Sequence, residues 1–183
     1  MQTWYAVAKP PARLDALTVE MLRQPGKGPK LRSKAGECRY LVPFAYELAK
    51  EYDNGTPHRR TVHKLLENFH QVTECISTEP FNAAVAADAC RKTCLLFVSL
   101  ENEALARGDE KSWRVKPKMH MFQELTEYLG PELGTPRNYW TYRDEAWGGW
   151  LSKTAERRGG AKWAASVALN LLQRYRALAT AEM

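Results

Sequence analysis

Apolar residues recur along most of the chain at the three- and four-residue spacing of a helix, and no stretch alternates as a half-buried strand does. From Ser33 onward, Tyr40, Leu41, Phe44, Leu48 and Tyr52 fall on one helical face. Ser33 is the expected cap, Glu37 lies in the first turns, and Pro43 predicts a kink or a restart. The turn residues NGTP at 54–57 end this stretch, and Thr56 with Pro57 after it begins the next. Val62, Leu65, Leu66, Phe69, Val72 and Ile76 then form an apolar stripe, with His63, Glu67, His70 and Glu74 along its polar border. A third helix is predicted from Thr78 or Glu79 to Gly108. Its LLFVSL segment at 95–100 is apolar nearly all round, which predicts a central position in a bundle.

Beyond the polar break GDEKS, Trp113 to Pro117 reads as extended. The helix that follows carries Met121, Phe122, Leu125, Tyr128 and Leu129, and GPELGTPRN breaks it at 130–138. Two more helices are predicted over 143–158 and 161–179. Residues 1–32 are less regular: they hold Pro10, Pro11 and most of the run QPGKGPKLRSK that spans 24–34, around one short predicted helix, LDALTVEMLR at 14–23. The pattern therefore predicts a mostly α protein: a bundle of about five to seven helices over 33–183, preceded by an irregular basic arm over 1–32.

Composition narrows the partners. Length suits one domain, and 44% hydrophobic with 26% charged residues is ordinary for a folded chain. No apolar run reaches the length of a membrane span, and MQTWYAVAKPPARLD lacks the layout of a secretory leader, so an intracellular protein without a membrane partner is expected. Lys and Arg number 27 against 21 Asp and Glu, a net charge of +6, and the isoelectric point is near 9.2. That balance favours acidic partners, nucleic acid first among them. Cys38, Cys75, Cys90 and Cys94 lack a CxxC spacing, and Cys90 and Cys94 share a helical face with Ala83, Ala87 and Phe97. Buried thiols fit this better than a zinc site, so no metal ligand is assigned.

Chemistry concentrates in NYWTYRDEAWGGW at 138–150. On a helix starting at Arg143, Asp144 borders the face of Trp147, Leu151 and Ala155, whereas Glu145 shares a face with Gly148, Gly149, Ser152 and Glu156. Each glycine inside a helix costs about 1 kcal/mol relative to alanine, so the pair calls for a close approach by something. Two readings stay open. The acids complement the helix dipole while the glycines admit a neighbouring helix, or the acids belong to a metal-dependent site that a phosphate can reach. Candidate phosphate contacts are Arg114, Lys116 and Lys118, alternating ahead of His120, together with Arg143 and the basic break of Arg157, Arg158 and Lys162. His63, His70 and Glu67 with Glu145 would be the ligands of a stand-alone metalloenzyme, which requires stoichiometric metal. No Walker loop, GxGxxG, GxSxG or HExxH occurs.

Taken in order, SKAGECRYLVPFAYELAKEY, the long apolar helices, KPKMHMFQELTEYLGP and YWTYRDEAWGGWLSK resemble the C-terminal region of eukaryotic cut-and-paste DNA transposases of the CACTA-like and related superfamilies. The resemblance covers residues 33 to 160. It implies a helical region abutting an RNase H-like core, DNA as partner, assembly as a homo-oligomer or larger complex, and a nuclear location. It also implies that Glu145, with Asp144 as the adjacent substitute, is the third metal-binding carboxylate, where Mg²⁺ would bind, and that His120 matches the histidine of the family's second motif. The chain departs from that pattern in showing no strand that bears further carboxylates, and two-metal chemistry needs them. The expectation is a DNA-binding helical domain inactive by itself. A helical protein-interaction module, drawing on six Trp and eight Tyr, is the alternative.

Overall fold

The computed structural model describes residues 1–22, 26, 28–31 and 33–138. The chain divides into two units, Met1–Tyr139 and Trp140–Met183, and the described residues all belong to the first. They are mostly helical and carry no strand, as the periodicity predicts. No helix among them is long and apolar enough to cross a membrane.

Two antiparallel helices form the centre. Helix α5, Pro57–Cys75, uses Pro57 at its first position, where the missing N–H costs nothing. Helix α6, Ala83–Ala106, starts later than Thr78 or Glu79 because the Asn82 side chain accepts the Val85 N–H and caps it there. At its far end Gly108, at φ +76°, donates to Leu105 O while Asp109 donates to Ala104 O, a Schellman closure that needs the left-handed glycine. Between the helices lie Val72 from α5 and Ile76 just past its end, against Ala89, Cys90 and Cys94 from α6. Small residues on α6 let the backbones approach, and Val72 and Cys90 are wholly buried. All four cysteines are free; Cys90 and Cys94 are core residues, whereas Cys38 and Cys75 are half-buried, and burial pushes the Cys90 thiol up to about 12.

Upstream, α3, Ala35–Tyr40, and α4, Val42–Glu51, are separate helices joined at Leu41, with Pro43 at the second position of α4. The expected interruption at Pro43 is thus a restart. Ser33 does not cap α3. Its hydroxyl pairs with Cys38 Sγ at 2.7 Å, and the Glu37 carboxylate instead accepts the Lys34 N–H at 2.9 Å.

Near the N-terminus, α1, Gln2–Ala8, is helical where no regular element is predicted, and among the described residues of the predicted 14–23 helix only α2, Val19–Leu22, forms. Tyr5 and Leu14 bury themselves against Leu41, with Trp4 and Phe44 at the rim, and the Tyr5 hydroxyl accepts the Leu14 N–H at 3.0 Å. The arm is therefore docked on the α3–α4 junction by an aromatic cluster.

The last described rod is continuous: α7, Pro117–Glu124, a π-turn over Leu125–Leu129, and α8, Gly130–Leu133. Pro131 has no N–H to offer the carbonyl of Glu127, so the regular ladder is interrupted where the π-turn lies. The Thr126 hydroxyl donates to the Phe122 and Gln123 carbonyls. Phe122 packs on the hairpin core and Thr126 is buried, but Met121 and Tyr128 are about two-thirds exposed, at 66% and 65%, although the spacing groups all of the rod's large apolar residues together. Gly130 lies under Phe81, whose Cε1 would stand 2.9 Å from any added Cβ.

Candidate nucleic-acid interface

The open end of the α5–α6 hairpin, where α5 begins and α6 ends, is closed by polar and aromatic groups. His58 Nδ1 lies 2.9 Å from Glu103 Oε2, and this hydrogen bond holds the Glu103 carboxyl below its ordinary range. Trp113 packs edge-on against Phe97 at 5.6 Å and against His58 at 6.5 Å between ring centres. Its backbone is left-handed, φ +54°. For a bulky residue that conformation costs on the order of 1–3 kcal/mol and persists only where surrounding contacts impose it.

Residues 107–118 flank that anchor, with five cationic side chains against two acidic ones. Asp109 is occupied locally: its carboxylate is held below the ordinary range by the Ser112 hydroxyl and by the Lys111 and Ser112 N–H groups. Arg114, Lys116 and Lys118 are exposed, and no acidic side chain among the described residues pairs with them. The predicted alternation of all three holds only to Lys116. Lys116 is extended, at φ −129° and ψ 154°, and Pro117 opens α7, which puts Lys118 in a helical turn. His120 lies on α7 as well, exposed and 3.3 Å from Glu124. Cations at a helix start oppose its dipole, so Lys116 and Lys118 are not there to stabilise α7.

A second basic stretch reaches the same place. Gly28 sits so close to Lys111 that a Cβ on it would overlap the Lys111 carbonyl oxygen. Only glycine fits this approach. The arm around Lys30, itself exposed, is thereby joined to the segment of Lys111, Arg114 and Lys116 from the far side of the sequence. Both basic stretches are legible in the sequence, whereas their meeting leaves no mark there beyond a glycine between a lysine and a proline.

Asp144, Glu145, Arg143, Arg157, Arg158 and Lys162 lie outside the described residues. His63 and His70 do not converge on an ion. Tyr46 from α4 stacks against each ring, at 5.9 and 5.4 Å between centres, and His63 Nδ1 is 2.9 Å from Asp53 Oδ2. Neither Tyr46 nor Asp53 stands out in the sequence, because the pairing joins α4 and its exit loop to α5. Among the described residues no group of three or more His, Cys, Asp or Glu side chains is placed to share a metal ion, and no metal-dependent step is derived from them.

Comparison of this chain with protein-family models, with curated proteins and with solved structures finds no match.

Proposed function

We propose that this protein is a DNA-binding helical domain that contacts the phosphate backbone through the joined basic stretches of Lys30, Lys111, Arg114, Lys116 and Lys118. The observation that carries this reading is the close approach of Gly28 to Lys111, which gathers cations about 80 residues apart onto one end of the hairpin. The net charge of +6 supports it. Backbone-directed cations carry little sequence information, so the contact is with duplex phosphates and not with base edges.

The transposase-derived part of the reading rests on motif order. In it the domain operates in the nucleus within a larger assembly and contributes Glu145, beside Asp144, to a Mg²⁺-dependent nuclease site completed elsewhere. Fluorescence anisotropy with labelled duplex DNA across a salt series tests both parts. Five phosphate contacts give a slope of log K against log salt of about −4 to −5. A Mg²⁺ response lost in Glu145→Gln supports the carboxylate role, and absence of binding at low salt overturns the DNA reading.

A second reading, a protein-interaction module, draws on α6. Leu95, Val98 and Leu105 on its outer side are 64%, 39% and 51% exposed, an apolar stripe of the kind helices use to dock partners. Flat DNA titrations would favour it.

A further inference from the structure

Glu101 is an acid beside cations that, on the reading above, meet phosphate, and its charge alone would repel DNA. Its carboxylate accepts the Val115 N–H at 2.9 Å, between Arg114 and Lys116. Glu101 lies one turn beyond Phe97 on the same face of α6, and Phe97 is where the Trp113 ring packs. The segment is thus tied to α6 at two successive points, Trp113 on Phe97 and Val115 on Glu101, while Arg114 and Lys116 stay exposed.

We propose that Glu101 is a positioning residue for the DNA contact: through the Val115 amide it holds the backbone so that the Arg114 and Lys116 side chains are presented together. This inference rests on the DNA-binding reading and adds to it a residue whose charge argues the other way. Fixing the segment before binding removes an ordering cost that a loose segment would bear on the DNA.

Charge and positioning make opposite predictions for one pair of variants. Glu101→Gln keeps an oxygen acceptor for the Val115 N–H and loses the negative charge. Glu101→Ala loses both. If charge alone matters, both variants bind DNA more tightly than the wild type. Positioning predicts that Glu101→Gln binds at least as tightly as wild type and that Glu101→Ala binds about three- to tenfold more weakly than Glu101→Gln, the range set by one hydrogen bond. The salt slope stays at the wild-type value in both, because the same phosphates are contacted, whereas Lys116→Ala lowers it by about 0.9.

The experiment is anisotropy titration of the full chain and these three variants on one DNA duplex across a salt series. It is paired with amide hydrogen exchange at Val115 in the absence of DNA. Slow exchange in wild type and Glu101→Gln with fast exchange in Glu101→Ala is the expected pattern, and it does not depend on DNA. Equal affinities of the Gln and Ala variants, with wild-type binding intact, overturn the positioning role, as does unchanged exchange in Glu101→Ala. A wild type that fails to bind at low salt overturns the DNA-binding reading instead, and does so before any variant is compared.

Discussion

The interior of the α5–α6 hairpin and the basic segment that leaves its open end are held by opposite means. Inside the hairpin, Val72, Ala86, Leu100 and Ala104 are fully buried, and these aliphatic side chains are held by contact with many neighbours, with no directional bond. The segment from Lys111 to Lys118 keeps its cations exposed and depends on a few specific ties: Trp113 against Phe97 and His58, Val115 on Glu101, and the Gly28 approach to Lys111. Losing one contact in the first region weakens the whole molecule. Losing one tie in the second should leave the fold standing and change only what the segment presents.

The largest expected effect separates the two directly. Leu100→Ala removes a wholly buried side chain from the C-terminal half of α6 and should cost about 3 kcal/mol of stability, within the usual range of about 2–5 for such a truncation. Urea unfolding measures it. DNA affinity measured well below the unfolding midpoint should stay within twofold of wild type. A folded Leu100→Ala protein with clearly weakened binding would show that the core and the segment are one mechanical unit, and the contrast would fail.

Gly130→Ala should have a smaller effect, and it probes the buried side from the α8 end. The new methyl would stand 2.9 Å from Phe81 Cε1 and 3.1 Å from the Leu125 carbonyl oxygen, so either ring or backbone must yield. Overpacking of this kind costs about 1–3 kcal/mol. Thermal unfolding followed by circular dichroism gives the number, and a variant as stable as wild type would mean that Phe81 is loosely seated.

How much of this the sequence discloses depends on whether the cause is local. The stripe from Val62 to Ile76 predicts α5 well, because one amphipathic face with Pro57 at its start needs nothing from elsewhere. Helix α6 starts several residues later than Thr78 or Glu79, at the point where the Asn82 side chain caps it. Helix α1 was not legible: seven residues do not form a stable helix alone, and α1 exists through Tyr5 and Trp4 packing on Leu41 and Phe44. In the rod after Pro117, Met119, Phe122 and Thr126 form the covered face and Met121 and Tyr128 the exposed one; which side of a helix with apolar residues on both is covered is set by its packing partner, and the helix's own sequence does not disclose it. For the candidate interface, Arg114 and Lys116 were legible as charge. Their anchoring by Glu101, and the junction with the arm at Gly28, are tertiary and leave no local pattern.

Between the two regions lies an intermediate case, the Asp53–His63 pair, whose side chains are 18% and 17% exposed. It is directional, like the ties of the basic segment, but sheltered, like the core. The hydrogen bond from His63, followed by that from the Gly55 N–H, holds the Asp53 carboxyl below its ordinary value of 3.8. A carboxylate whose folded-state value is depressed stabilises the fold at pH above the unfolded value, and that stabilisation is lost as pH falls through the lowered native value. Asp53→Asn keeps the shape and removes the charge. Its unfolding midpoint should therefore lie below that of wild type at about pH 6, with the gap shrinking below about pH 4 as the wild-type carboxylate protonates. A gap that stays constant down to about pH 3 would assign the pair's value to hydrogen-bond shape alone. It would place Asp53 with the sterically held interior and not with the electrostatic surface.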